Sequence, residues 1–88
     1  MIKGKTSSGF EFELEDDVMD DYDLVVLFGK YNKNPSMDIV VDIAIKMLGA
    51  EQHKALMEHL RDDKGKLKTS AMIHALEEIE NSLPALKN

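Results

Sequence analysis

Hydrophobic residues near the N-terminus alternate with polar ones, which is the pattern of a β-strand with one buried face. Phe10, Phe12 and Leu14 alternate with glutamates, and residues two apart along a strand lie on the same face of a sheet. Residues 6–9, which contain two serines and a glycine, supply a turn between this strand and the short run 2–5. The pattern predicts a β-hairpin. Its apolar face must pack on other elements, because an isolated pair of strands is marginally stable in water.

After residue 20 the apolar spacing changes to that of α-helices, and capping residues mark the predicted helix ends. The second helix is the most apolar of the four and is expected to be central in the core. The first helix is predicted to begin at Asp20 or Asp21 and to end near Asn32. The second is predicted to be capped by Asn34 or Ser36 and to end at Gly49.

Two further helices follow the same apolar spacing. The third is predicted over residues 50–63, closed by Gly65. The fourth is predicted to begin with Thr69 or Ser70 as its cap and to be ended by Pro84. Both glycines, Gly49 and Gly65, are expected to be left-handed C-caps. The predicted fold is a single α+β domain over residues 1–88, mainly helical, with about four short helices and an N-terminal β-hairpin.

Composition excludes several classes of protein. The 88 residues include no cysteine, which removes disulfides, thiolate metal sites and cysteine nucleophiles. No apolar run approaches the roughly 20 residues that cross a bilayer, and the N-terminus resembles neither a signal peptide nor a transit peptide. We therefore expect a cytoplasmic protein with no membrane partner.

The net charge of −6 comes from one segment. Residues 11–23 carry eight acidic residues and no basic one, whereas residues 24–88 carry nine of each sign. This distribution argues against nucleic acid as a partner, because phosphate binding relies on clustered Lys and Arg. Two interpretations of the acidic segment remain open. It is either a solvated loop followed by a helix start, or a docking patch for a basic partner.

The chain offers no recognisable catalytic constellation. His53, His59 and His74 are not spaced three or four residues apart, so no single helix presents two histidines to a metal. A nucleophile elbow and a phosphate-binding glycine loop are both absent. We expect no enzymatic activity, no cofactor and no metal site.

Six methionines are many for this length, and the flexible thioether suits both irregular cores and adaptable binding surfaces. Met47, Met57 and Met72 fall on predicted apolar stripes, which favours core packing, whereas Met19 and Met37 do not. The predicted partner-binding residues combine apolar and acidic candidates: Met19, Met37, Val40, Leu56, Asp16, Asp17, Asp20 and Asp21.

Several short strings, in order along the chain, resemble the short tail assembly chaperones of long-tailed bacteriophages and prophages. The likeness spans about residues 4 to 80, with Tyr22 where relatives often carry tryptophan. The strings are GKTSSGFEFE at 4–13, DDYDL at 20–24, LGAEQ at 48–52 with Leu56 following, HLR at 59–61, GKL at 65–67 and LEEI at 76–79.

The resemblance implies a non-enzymatic role. Such chaperones bind the long, helical tape measure protein in the infected cell, limit its aggregation and help to recruit tail tube subunits. They are absent from the finished virion, and the family often makes a longer form by ribosomal frameshifting. An exposed methionine and aliphatic groove would suit helical clients, and uncovered apolar surface favours weak, reversible homo-oligomers. The alternative is a small acidic regulator or inhibitor that occupies a basic protein surface.

Overall fold

The computed structural model of the chain describes residues 1–83. The fold class is confirmed: it is α+β and mainly helical, with four helices, 58% helical content and an N-terminal antiparallel hairpin. Pro84, the predicted stop of the last helix, lies outside the described residues. No helix within residues 1–83 has the length and apolar character that crossing a bilayer requires. The elements are β1 (Ile2–Lys5), β2 (Glu11–Leu14), α1 (Tyr22–Lys33), α2 (Met37–Leu48), α3 (Ala50–Leu60) and α4 (Thr69–Asn81).

The hairpin has the predicted buried face. β1 and β2 pair in antiparallel register, with Ile2 opposite Leu14 and Gly4 opposite Phe12. Phe10, Phe12 and Leu14 are all buried. Gly4 has a specific role in this register, because a Cβ built there would lie 2.5 Å from Cζ of Phe12. The glycine thus leaves space for the aromatic ring across the strand pair.

The predicted limits of α1 are confirmed within about one residue. Asp21 is the N-cap, and its Oδ1 accepts hydrogen bonds from the backbone N–H groups of Asp23, at 3.0 Å, and Leu24, at 3.4 Å. Ser36 occupies the N-cap position of α2, as one of the two predicted alternatives. Its hydroxyl donates to the carboxylate of Asp38 and makes no backbone cap bond. This hydrogen bond is the main cause that lowers the pKa of Asp38 below its ordinary value.

The predicted end of α3 is wrong. The helix ends at Leu60 and not at residue 63, because the side chain of Asp62 binds backbone N–H groups that follow it and stabilises a turn. Oδ1 of Asp62 accepts hydrogen bonds at 2.9 Å from the N–H groups of Lys64 and Lys66, a local alternative to the helical pattern. Gly65 has a positive φ of 82°, but it belongs to this turn, where its N–H donates to the carbonyl of Asp62. It is therefore not a C-cap.

The N-cap predicted for α4 is also wrong. Lys68 takes the cap position, and Thr69 and Ser70 lie inside the first turn. No side chain caps this end, and the carbonyl of Lys68 accepts the first hydrogen bonds of the helix from the N–H groups of Ala71 and Met72. A side-chain hydroxyl near a helix start thus did not identify the cap.

Gly49 joins α2 and α3 directly. It ends α2 as predicted and has a positive φ of 83°, but its ψ of 156° lies outside the left-handed helical region that we expected. This part of conformational space is essentially restricted to glycine. Consequently one residue serves as the C-cap of α2 and the N-cap of α3.

The core lies where the hairpin and the helices meet. Its most deeply buried large side chains come one each from β2, α1, α3 and α4, namely Leu14, Leu24, Leu56 and Ile79. α2 contributes Ile43, Ala44, Met47 and Leu48 and packs against α1, α3 and β2. The expectation that the second helix is central is therefore confirmed.

Candidate partner-binding site

An open groove runs between three helices. α2 is covered on other sides by α1, α3 and β2, whereas the main helical neighbour of α4 is α3. Between α1 and α4 this leaves part of α2 facing a cavity of about 320 Å³, which we call the α1/α2/α4 groove. It is lined by Phe28, Tyr31 and Asn32 of α1, Val40, Ile43, Ala44 and Met47 of α2, and Ile73, Leu76, Glu77 and Glu80 of α4.

The groove has an apolar floor and one acidic wall. Aromatic and aliphatic side chains from α1 and α2 form the floor, with the half-buried Val40 at one end. The charged residues that line it, Glu77 and Glu80, both belong to α4 and both are acidic. They lie one helical turn apart, because residues at i and i+3 are neighbours on a helix surface. The arrangement is an apolar surface edged by negative charge.

The electrostatics of the acidic wall are unfavourable in the free protein. Glu80 is exposed as a whole residue, yet partial burial of its carboxylate raises the pKa of that group above its ordinary value. The neighbouring carboxylate of Glu77 raises it further. A cation beside Glu80 would favour its charged form.

Neutralising Glu80 is therefore expected to stabilise the protein slightly at neutral pH. The folded protein holds the Glu80 proton more tightly than the unfolded chain does, so the charged group costs stability above its folded pKa. We expect Glu80→Gln to raise the melting temperature by a few degrees or less at pH 7. The gain should vanish below the ordinary pKa of glutamate, where both states are protonated. A gain in thermal melts that stays the same at acidic pH would exclude charge as its cause.

The four predicted apolar contact residues lie in different environments. Val40 lines the groove, and Met37, the first residue of α2, is 51% exposed. Met19 is half-buried and packs against the core. Leu56 has no exposed area at the centre of the core. Since a residue with no exposed area cannot touch a partner, the contact role predicted for Leu56 is replaced by a packing role.

The four predicted acidic contact residues are partly engaged within the chain. Asp16 pairs with the N-terminal amine of Met1 at 2.6 Å. Asp21 caps α1 and also lies 3.5 Å from Nζ of Lys46. Asp17 and Asp20 are exposed. Asp16 remains 77% exposed despite its ion pair, whereas Asp21 is only 34% exposed and is needed as the cap of α1.

The predicted contact residues do not converge on one surface. α1 and α2 are consecutive helices of 12 residues each that pack side by side, and Lys46, near the end of α2, contacts Asp21 and Asp23 at the start of α1. The acidic segment therefore lies at one end of this pair, whereas Met37 and Val40 belong to the first turn of α2 at the other. At about 1.5 Å per residue the two ends are roughly 18 Å apart.

The α4 wall of the groove contains no residue that is predicted from the sequence as a partner contact. Ile73, Leu76, Glu77 and Glu80 follow the spacing i, i+3, i+4 and i+7, which places them on one face of α4. That signal was available in the sequence. Only the packing of α4 beside α3, however, reveals that this face borders a groove.

A second exposed apolar surface lies on the far side of α1 and α2. Val26, Val41 and Ile45 are exposed by 41%, 43% and 39%. Side chains of both charges accompany them, including Lys30 and Asp42. This outer face is chemically different from the groove, because its charges are mixed. It provides matched control positions for experiments on the groove.

Polar side chains of α3 and α4 hold the hairpin in place. The carboxylate of Glu78 accepts from the backbone N–H and the hydroxyl of Ser7, at 3.0 and 3.1 Å. Nε2 of His59 lies 3.1 Å from the carbonyl oxygen of Ser8, to which it must donate because a carbonyl only accepts. The amide of Gln52 bonds both backbone groups of Glu13, at 2.8 and 2.9 Å. These contacts give His59 and Glu78 structural roles.

Within residues 1–83, no three His, Asp or Glu side chains are grouped so that they could hold a metal ion. Comparison of the chain with protein-family models, with curated proteins and with solved structures finds no match.

Proposed function

We propose that the protein is a tail assembly chaperone of a long-tailed bacteriophage or prophage. It binds the tape measure protein and helps to recruit tail tube subunits during virion assembly. The observation that carries the proposal is the α1/α2/α4 groove, in which the described part of the chain leaves Phe28, Tyr31 and Val40 partly exposed above buried residues of the core. The ordered resemblance over residues 4–80 supplies the identity of the client.

The groove suits a helical client because helices commonly bind by laying an apolar face into such a groove. Met47 lies beneath the floor of the groove and is only 5% exposed, and its flexible side chain lets the packing under the floor adjust to different clients. A tape measure protein offers many apolar helical segments of different sequence. A groove with an adaptable floor could hold several of them in turn. In this proposal the protein acts in the host cytoplasm and leaves before the virion is complete.

The rival proposal, a small acidic regulator of a basic protein, would use the acidic segment. Asp17 and Asp20 are available for such a contact. Asp16 and Asp21, however, are already engaged by the N-terminal amine and by Lys46. Asp16 nevertheless keeps 77% of its side chain exposed, so the acidic segment still offers a surface to a basic partner, and the experiment below must separate the two proposals.

Co-expression tests the proposal directly. Helical fragments of the tape measure protein from the same genome are produced alone, with this chain, or with an unrelated acidic domain of similar size. We expect this chain to increase the soluble fraction of the fragments and to co-purify with them, because it covers apolar surface that otherwise aggregates. The unrelated domain should do neither.

Two outcomes would contradict the chaperone proposal. One is a set of fragments that neither bind the chain nor become more soluble with it. The other is a basic protein partner whose binding is lost when Asp16, Asp17 and Asp20 are changed to Asn, which would support the regulator. Asp21 is left unchanged in that variant because it caps α1.

A further inference from the structure

We propose that the α1/α2/α4 groove binds an amphipathic helix that carries Lys or Arg along one edge of its apolar face. The apolar side chains of this helix pack on Phe28, Tyr31 and Val40, which are the more exposed residues of the floor, and its cations lie beside Glu77 and Glu80. The inference deepens the proposed function, on which it rests for the identity of the client. It adds the chemistry and the orientation of the bound segment.

The helical lining of the groove favours a helix over an extended peptide. Its walls and floor come from three helices, and no strand contributes to its lining. The hairpin lies outside the groove, and on the outer edge of β2 the amide of Gln52 binds the backbone groups of Glu13, so neither strand offers an edge to a segment in the groove. A helix in the groove would pack against side chains of α1, α2 and α4, as one more member of the helical layer.

The charge of the groove favours a basic helix. Among its described lining residues, the charged ones are Glu77 and Glu80, and no ion pair involving either is formed within residues 1–83. Like charges one turn apart on a helix repel each other. A cation placed between or beside them relieves this repulsion, and the raised pKa of Glu80 is in keeping with that need.

The spacing of the two glutamates also restricts the cations. Residues three apart on a helix are separated by about 4.5 Å along its axis. A helix lying along α4 would match this separation with basic residues at i and i+3 or i+4. We therefore expect the partner to carry Lys or Arg in pairs at that spacing, next to its apolar stripe. A helix with acidic residues at the same positions would be rejected by repulsion.

A pair of synthetic peptides tests the charge requirement. Each has about 18 residues, long enough to form a helix, with Leu on one face and either Lys or Glu along the edge at the i, i+4 spacing. The full chain is titrated with both peptides, and binding is followed by calorimetry. We expect the Lys peptide to bind and the Glu peptide to bind at least about tenfold more weakly. The preference should shrink as salt is added.

Matched variants locate the binding surface. Val40 faces the groove, whereas its neighbour Val41 is exposed outside it. We expect Val40→Gln to weaken binding of the Lys peptide about tenfold or more, because apolar contact is lost, and Val41→Gln to leave it unchanged. Glutamine favours helices at least as well as valine does, so both variants should fold, and circular dichroism confirms this before binding is measured.

The acidic wall has its own matched pair of double variants. Glu77→Gln/Glu80→Gln and Asp17→Asn/Asp42→Asn each remove two negative charges from a chain of net charge −6. Only the first changes the groove. We expect the first to weaken binding of the Lys peptide about three- to tenfold at low salt and the second to have little effect.

The possible outcomes separate this inference from the proposed function. Tape measure fragments that bind equally well to the wild type, Val40→Gln and the groove double variant would overturn the groove inference and leave the chaperone standing. Binding of the Lys peptide that depends on the groove, without any effect of the protein on tape measure fragments, would support the groove inference and overturn the chaperone proposal. Equal binding of both peptides would overturn the charge requirement. A dimer that dissociates in Val40→Gln and excludes the peptide would show that a second copy occupies the groove, and would also overturn the inference.

Discussion

Replacing Leu56 by Ala is expected to destabilise the domain by about 3–5 kcal/mol. Leu56 has no exposed area, and removing a buried leucine side chain loses its transfer free energy and leaves a cavity. A domain of this length has a total stability of roughly 4–13 kcal/mol, so the variant should lose a large part of it. Urea denaturation followed by circular dichroism measures the change.

Met37→Ala is the matched comparison, because Met37 and Leu56 have the same predicted role as partner contacts. Met37 is 51% exposed, and a substitution at an exposed position usually changes stability by less than about 0.5 kcal/mol. We expect the two variants to differ by several kcal/mol in the free energy of unfolding. A Leu56→Ala protein as stable as the wild type would mean that the side chain is not in the core, and its role as a contact residue would return.

The contrast between these two residues explains what periodicity can predict. Leu56 lies on the apolar stripe of α3, and a stripe indicates which face of a helix is apolar. It does not indicate whether that face meets the core or remains open to a partner. The buried face of the hairpin is easier to predict, because Phe10, Phe12 and Leu14 alternate strictly with glutamates and only one face of the strand can be buried.

The limit of a helix is predictable where the apolar spacing and the capping side chain indicate the same residue. Asp21 both begins the apolar spacing and supplies the capping oxygen. At the end of α3 they disagree, since residues 61–63 could continue the helix but the Asp62 carboxylate binds the N–H groups of Lys64 and Lys66. Local energies of about 1 kcal/mol determine whether a side chain displaces the helical hydrogen bonds in this way. The spacing of apolar residues does not reveal these energies.

The groove was predicted only in part for a related reason. The sequence predicts a contact role for Val40 but none for Phe28, Glu77 or Glu80. The acidic segment at 11–23 accounts for the net charge of the chain, so the sequence predicts a docking patch there. Glu77 and Glu80 belong to a segment with no net charge of its own. Their significance comes from tertiary packing, which places them beside an uncovered part of α2.

The same substitution, glycine to alanine, is expected to have opposite effects at two positions of the chain. Gly29 lies in the interior of α1, and a Cβ there would meet nothing within 4 Å. Alanine favours a helix over glycine by about 0.5–1 kcal/mol. We therefore expect Gly29→Ala to stabilise the domain by about that amount, chiefly by restricting the unfolded chain.

Gly49→Ala should instead destabilise the domain by about 1–3 kcal/mol. A Cβ at Gly49 would also meet nothing within 4 Å, so crowding cannot be the cause. The cause is the backbone, whose φ of 83° and ψ of 156° are suited to glycine alone. An alanine there must either adopt this strained conformation or alter the junction at which α2 ends and α3 begins.

Thermal and urea denaturation of Gly29→Ala and Gly49→Ala measure whether each substitution raises or lowers the free energy of unfolding. D-alanine at position 49 separates conformation from chain flexibility, because a D-residue prefers positive φ and should restore stability or exceed that of the wild type. Loss of stability with L-alanine but not with D-alanine would establish that the junction depends on handedness. Equal losses with both residues would instead place the cause in the added methyl group, and the conformation of Gly49 described above would then be wrong.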